Sequence, residues 1–119
     1  MTTMASTGSA AAGEHGEEFQ LSADESADGT VLRIQGEVDV YTSPALRDEL
    51  YRLVDGGAKR VTLDFSGMDF IDSSGLGVLV GALKRIRERD GELELRSLQP
   101  PARKVFEITG LTQVFTISD

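Results

Sequence analysis

Residues 68–77, which read MDFIDSSGLG, decide the fold because they join a strand pattern to a helix pattern. Before this junction, Val61, Leu63 and Phe65 are apolar at every second position, which is typical of a strand with one buried face. After it, residues 74–89 carry apolar side chains at helical spacing: Leu76, Leu79, Val80, Leu83 and Ile86. A strand that passes directly into a helix is typical of an α/β fold.

The same two patterns recur on both sides of the junction. Further strands are predicted at residues 19–23, 30–40, 92–96 and 114–117, with a hairpin turn at residues 27–29. Two further helices are predicted, one from Ser43-Pro44 to Gly56 and one from Pro100-Pro101 to Gly110. The order β-β-α-β-α-β-α-β predicts a single α/β domain with a mixed, mostly parallel sheet of four to five strands and three or more helices mainly on one face.

Residue types predict three local features of this fold. The apolar residues of the strand predicted at residues 30–40 are offset around Gly36, which predicts a bend or β-bulge there. Ser43 is predicted to cap the first helix, and Ser73 or Ser74 to cap the helix after the junction, because a serine hydroxyl accepts a hydrogen bond from an unpaired N–H group. Gly77 and Gly81 are predicted to let the helix after the junction approach the sheet closely.

The composition indicates a globular domain without covalent or metal cross-links. Hydrophobic residues make up 39% and charged residues 27% of the chain, which is enough for an ordinary core. The absence of cysteine excludes a disulfide framework, and the single His15 excludes a histidine metal cluster. No apolar run approaches the roughly 20 residues that span a bilayer, and the first residues do not resemble a secretory signal. We therefore expect no membrane association and a cytoplasmic location.

The net charge of −8 is concentrated near the amino end of the chain. Residues 1–28 hold six of the 20 acidic side chains and none of the 12 basic ones, so the rest of the chain has 14 acidic and 12 basic residues. Residues 1–17 lack periodicity and predict a disordered acidic lead-in, which is followed by one domain at residues 18–119. The best candidate for a basic face, formed by Lys84, Arg85, Arg87 and Arg89, is interleaved with Glu88 and Asp90 on an outer helix face, so no nucleic-acid binding is expected.

The junction could also carry chemistry, because the N-terminus of a helix favours an anion. Plain capping explains the same serines, and residue types alone leave both interpretations open. The glycine spacing G-x-G-x-x-x-G is one residue too long for a dinucleotide fingerprint, and no P-loop lysine follows. A serine hydrolase would need a base such as histidine beside Ser73, and the single His15 lies in the predicted lead-in. Asp69 and Asp72 could resemble a metal site or an acid–base pair, but no further residue converges on them in the sequence. We therefore expect no enzyme, no metal and no cofactor.

Three motifs resemble one known family. Residues 36–39 (GEVD), 70–77 (FIDSSGLG) and 106–111 (FEITGL) together resemble the STAS domain family, and most closely its bacterial anti-sigma factor antagonists. The resemblance covers residues 18–119, and its Asp-Ser-Ser-Gly-Leu-Gly core stands at the strand-to-helix turn where the family has it. It implies that the phosphoacceptor is the serine directly after the aspartate, which is Ser73.

The resemblance further implies partner switching. The unmodified protein would bind an anti-sigma factor that is itself a serine kinase, so that the sigma factor goes free to engage RNA polymerase. Phosphorylation with ATP would separate the pair, and a serine phosphatase would reset it. The residues implied at the partner surface are Asp39, Asp72, Ser73, Ser74, Gly75, Leu76 and Gly77. One alternative stays open, in which the domain is a STAS scaffold or transport-accessory module that binds a partner without a phosphorylation cycle.

Overall fold

The computed structural model describes residues 19–119. The predicted acidic lead-in at residues 1–17 lies outside the described residues, so its disorder stays a prediction. The strands are β1 (Gln20–Ser26), β2 (Gly29–Val38), β3 (Arg60–Ile71), β4 (Glu92–Arg96) and β5 (Thr116–Ser118). The helices are α1 (Ser43–Asp55), α2 (Ser73–Arg87) and α3 (Pro100–Ile108), and a 3₁₀ turn occupies Leu111–Gln113.

The five strands form one sheet in the order β1-β2-β3-β4-β5. β1 is antiparallel to β2, and the other neighbours are parallel. This topology confirms the predicted α/β domain with a mixed, mostly parallel sheet. The last strand begins at Thr116, two residues later than predicted, because the 3₁₀ turn takes up the chain before it and Phe115 packs into the core.

The two faces of the sheet differ in chemistry. Leu32, Leu63 and Leu95 are aligned across β2, β3 and β4, and each is fully buried in the cluster that includes the inward side chains of the helices. The next row, Arg33, Asp64 and Arg96, points to the opposite face. There the Asp64 carboxylate lies 3.8 Å from Arg33 and 3.5 Å from Arg96. The helices therefore cover one face and leave a polar face on the other.

An ion pair joins α1 to α2 on the outside of the domain. The Arg85 guanidinium donates two hydrogen bonds to the Asp55 carboxylate, at 2.9 and 3.0 Å, and lies 4.3 Å from the Tyr51 ring centroid. Arg89 also lies 3.2 Å from the same carboxylate. The hydrogen bond from Arg85 lowers the pKa of Asp55 against the opposing effect of desolvation. In the described part of the chain, no helix is long and apolar enough to cross a membrane.

Two local predictions have different outcomes. An irregularity is found at Gly36, which has a φ of 89° and where the register with β3 shifts between Gly36 and Glu37, but β2 itself is not bulged, because its buried positions alternate without a break. The extra residue lies on β3, where Asp69 falls between the two paired positions. The prediction that Ser43 caps α1 is wrong. Thr42 is the N-cap residue, and Ser43 is the buried first residue of the helix.

Candidate functional site

The ends of β2 and β3 bring two predicted site residues to one edge of the sheet. Val38 and Ile71 are paired across these parallel strands, and the Asp72 amide donates to the Val38 carbonyl at 3.1 Å. Asp39 and Asp72 are the next residues of the two strands, and each precedes a helix. The carboxyl edge of the sheet therefore presents both aspartates with the first turn of α2.

Asp72 is the N-cap residue of α2. Its Oδ1 accepts hydrogen bonds from the amides of Ser74 at 2.9 Å and Gly75 at 3.3 Å, and its backbone is extended. The prediction that Ser73 or Ser74 caps the helix is therefore wrong. A cap at Ser73 would require the helix to begin at Ser74, but it begins at Ser73. Ser73 becomes the first helical residue, so its hydroxyl has no capping role.

The Ser73 side chain is exposed, whereas Ser74 is half-buried. Within residues 19–119, no hydrogen bond or ion pair occupies the Ser73 hydroxyl. A hydroxyl in this position can be reached from solvent without any rearrangement of the domain.

Asp39 builds the loop between β2 and α1. Its Oδ1 accepts hydrogen bonds from the amides of Tyr41 at 2.9 Å and Thr42 at 3.1 Å. The Thr42 hydroxyl accepts from the Asp39 amide at 2.9 Å and donates to the Glu37 carbonyl at 2.8 Å. Both aspartates of the edge thus hold backbone turns, a role that sequence reasoning missed although aspartate is a frequent turn and cap residue.

The glycines of α2 have different surroundings. A Cβ atom at Gly75 would lie 2.6 Å from Val38 Cγ1 and 2.7 Å from Ile71 Cγ1, so only glycine lets the first turn of α2 rest on the strand ends. A Cβ atom at Gly77 would meet no atom within 4 Å. A Cβ atom at Gly81 would lie 3.1 Å from a side-chain oxygen of α1 and would meet no atom of the sheet. The prediction that Gly77 and Gly81 allow close approach to the sheet is therefore wrong, and Gly75 has that role.

The predicted partner-surface residues divide into outward and inward groups. Ser73 and Gly77 are exposed, and they share one helix face because they are four residues apart. Gly75 and Leu76 are buried, with Leu76 at 9% exposure. The other three predicted residues, Asp39, Asp72 and Ser74, are half-buried. The inward pair positions the first turn of α2, and the exposed and half-buried residues are the part of this surface that solvent reaches.

Three apolar side chains at this edge are exposed and were missed by sequence reasoning. Val40 is 59%, Tyr41 76% and Phe70 46% exposed. The bulge at Asp69 allows Met68 and Ile71 to face the core while Phe70 faces solvent. The signal was present only for Tyr41, which stands between the predicted strand at residues 30–40 and the predicted helix start at Ser43, where neither pattern requires an apolar residue. Val40 was assigned to that strand, which in the structure ends at Val38.

The same edge is anionic. Glu37, Asp39, Asp69 and Asp72 all lie on it, at or after the ends of β2 and β3. Residues 34–46 and 61–83 contain no lysine or arginine. No group of three or more potential metal-ligating side chains occurs within residues 19–119.

Comparisons with known proteins agree with this geometry. The chain matches the STAS domain family over residues 20–119. It is 38% identical over 87 residues to the anti-sigma-B factor antagonist of Bacillus subtilis (strain 168), a match that covers 73% of this chain and 79% of the relative.

Two solved structures that share the name SpoIIAA are also similar to this chain. The anti-sigma factor antagonist SpoIIAA in its unphosphorylated form matches with a TM-score of 0.66 and 25% identity, over 85% of this chain and 87% of that chain. The Bacillus cell fate determinant SpoIIAA in the phosphorylated form matches with a TM-score of 0.66 and 27% identity, over 85% of this chain and 91% of that chain. This chain therefore belongs to the STAS domain family, and its relatives place it among the anti-sigma factor antagonists.

Proposed function

We propose that this antagonist binds a cognate anti-sigma factor that is a serine kinase, that the binding frees the sigma factor, and that phosphorylation of Ser73 ends the binding. The observation that carries the proposal is the exposed Ser73 hydroxyl at the start of α2, beside a carboxylate that already caps the helix. The name of the Bacillus subtilis relative and the phosphorylated SpoIIAA structure support it. A role in releasing a sigma factor to RNA polymerase places the protein in the cytoplasm and requires no catalysis by this chain.

A phosphate on Ser73 is compatible with the fold. The N-terminus of a helix stabilises a nearby anion by roughly 0.3 to 1 kcal/mol at an exposed site. The neighbouring Asp72 carboxylate opposes this by repulsion, so the net effect on the folded domain is small. The phosphorylated and unphosphorylated SpoIIAA structures match this chain equally well, each with a TM-score of 0.66, which supports a switch without refolding.

The same phosphate disrupts a complex in which Ser73 faces bound ATP. During transfer, the Ser73 oxygen forms a bond to the γ-phosphorus as the bond to ADP breaks, and the hydroxyl proton passes to a base of the kinase or to water. The product holds two anionic groups side by side, the phosphoserine and the β-phosphate of ADP. Like charges placed together at an interface cost several kcal/mol, and each 1.4 kcal/mol is tenfold in affinity. We therefore expect affinity to fall by about a hundredfold or more. A serine phosphatase reaches the same exposed position and restores the hydroxyl by hydrolysis.

The test uses the purified full chain and the anti-sigma factor kinases of its own organism. Calorimetry measures binding, and intact mass after incubation with ATP measures phosphorylation. Ser73→Ala is expected to bind and to gain no phosphate, while Ser73→Asp binds more weakly. Ser74→Ala is the matched control, and it is expected to gain one phosphate as the wild type does.

Two results would contradict the proposal. One is phosphorylation of the Ser73→Ala variant, which would show that another residue accepts the phosphate. The other is binding to an anti-sigma factor with no phosphate gained, which would favour the scaffold alternative.

A further inference from the structure

The exposed apolar side chains of the described chain are not scattered. Five large hydrophobic residues are more than a third exposed, and three of them, Val40, Tyr41 and Phe70, lie at or just after the carboxyl ends of β2 and β3, the edge at which α2 begins with Ser73. Phe70 is paired across the strands with Glu37, which stands two residues before Asp39. Phe70 also precedes Ser73 by three residues. We call Val40, Tyr41 and Phe70 the apolar edge. Exposed apolar groups that cluster in this way mark interaction surfaces, whereas single ones need no explanation.

The backbone that carries the apolar edge is held by hydrogen bonds. The amides of Tyr41 and Thr42 both donate to Asp39 Oδ1, and this fixes the loop that displays Val40 and Tyr41. Phe70 belongs to β3 and is paired within the sheet. A surface that is ordered before binding loses less conformational entropy when a partner covers it. The apolar edge is therefore suited to docking.

The two chain segments that carry the apolar edge have charge of one sign. The carboxylates at or just after the ends of β2 and β3 are those of Glu37, Asp39, Asp69 and Asp72, and residues 34–46 and 61–83 contain no lysine or arginine. Electrostatic complementarity across an interface then requires positive charge on the protein that faces this edge.

We propose, in an extension that rests on the proposed function, that the apolar edge is the centre of the surface covered by the anti-sigma factor. The facing surface of that partner carries an apolar pocket bordered by lysine or arginine. Tyr41 and Phe70 enter the pocket, since aromatic side chains are enriched among the residues that dominate binding. Asp39, Asp69 and Asp72 meet the basic border. Ser73 lies next to this contact, so a partner held by the apolar edge is in place to modify it.

The experiment measures calorimetric affinity of the unphosphorylated full chain for the anti-sigma factor kinase that the wild type binds. Tyr41→Ala and Phe70→Ala are each expected to weaken binding by about tenfold or more. Ile108→Ala is the matched control, because Ile108 is 76% exposed like Tyr41 but lies in the last turn of α3. That helix follows the carboxyl end of β4 and returns to the amino end of the parallel β5, so Ile108 lies away from the apolar edge. Its variant is expected to bind within about twofold of the wild type.

Salt tests the charged border. Wild-type affinity is expected to fall as ionic strength rises, and Asp69→Asn should weaken binding at low salt more than at high salt. Thermal melting checks that each variant is folded at the temperature of the assay. If Phe70→Ala is too unstable, Tyr41→Ala alone tests the apolar edge, because Tyr41 is highly exposed and its replacement should not unfold the domain.

The outcomes separate the two proposals. If the wild type binds and both Tyr41→Ala and Phe70→Ala bind with wild-type affinity, the apolar edge is not the contact and the proposed function stands. If the affinity does not depend on salt concentration, the proposal of a basic border on the partner is wrong. If the wild type binds no anti-sigma factor, the proposed function fails and this inference fails with it.

Discussion

The Asp72 carboxylate accepts a hydrogen bond from the Ser74 amide at 2.9 Å, across the residue that lies between them, Ser73. The carboxylate therefore occupies the amides at the start of α2 and leaves the hydroxyl of the intervening serine to solvent. In a helix capped by serine, phosphorylation would remove the cap. Here the cap is Asp72 and the exposed hydroxyl belongs to Ser73, so Ser73 can be phosphorylated without loss of the cap.

Replacement of Asp72 tests the cap directly. Asp72→Ala should lower the free energy of unfolding by about 1 kcal/mol, because it leaves the helical amides without their acceptor. Asp72→Asn should retain most of the stability, since asparagine is a comparable N-cap residue. Urea denaturation at neutral pH measures both. Equal midpoints for Asp72→Ala and the wild type would show that the hydrogen bonds to Ser74 and Gly75 do not stabilise the domain.

Two glycines of one helix should respond to alanine in opposite directions. Gly75→Ala forces its Cβ to within 2.6 Å of Val38 and should destabilise the domain by about 1 to 3 kcal/mol, the usual range for overpacking. Gly77→Ala meets no atom within 4 Å and should stabilise the domain by about 0.5 to 1 kcal/mol, because alanine is the better helix former. Urea denaturation of both variants checks the sign of each change. Destabilisation by Gly77→Ala would contradict the open surroundings at that position.

The fold could be predicted from the sequence because its signals are local. The alternation at Val61, Leu63 and Phe65 and the helical stripe that ends at Ile86 each reflect one buried face, and burial follows both patterns. The left-handed conformation at Gly110, with a φ of 79°, could likewise be predicted from a glycine at a helix end.

The details of the candidate site depend on non-local structure. Aspartate and serine are both good N-cap residues, so residue type does not choose between Asp72 and Ser73. The choice follows from the extended backbone of Asp72, which the pairing of β3 with β2 holds through the bond to the Val38 carbonyl. Met68, Phe70 and Ile71 are all apolar, and which of them faces solvent depends on the bulge in that pairing.

The pair of Asp55 and Arg85 should make stability depend on pH in the acid range. The hydrogen bond from Arg85 lowers the pKa of Asp55 in the folded protein, so the unfolded state binds a proton more readily. The contribution of the pair is therefore fully present above the unfolded pKa, which is about 3.9, and it is lost as pH falls through the lower folded value. The stability difference between wild type and Asp55→Asn should be constant from pH 7 to about pH 5 and should shrink at lower pH. Chemical denaturation across that range measures it, and a difference that persists unchanged at pH 3 would contradict the assignment.

Phosphoserine at position 73 should alter stability through two opposed interactions with known positions. The dipole of α2 favours the phosphate, and the adjacent Asp72 carboxylate repels it. Asp72→Asn keeps a capping acceptor but removes the charge, so phosphorylation should raise the free energy of unfolding more in Asp72→Asn than in the wild type. The expected gain in that variant is about 0.3 to 1 kcal/mol at low ionic strength. Phosphoserine introduced at position 73 during synthesis avoids dependence on any kinase.

High salt provides the control for that comparison. Both interactions act at an exposed site, and in about 1 M salt the Debye length is near 3 Å. Under that condition the phosphorylated and unphosphorylated forms of each protein should have nearly equal free energies of unfolding. Calorimetric melting and urea denaturation measure the difference under both conditions. If the phosphorylated wild type instead unfolds or loses several kcal/mol of stability, the modification acts by disrupting α2, and a switch confined to the partner surface is wrong.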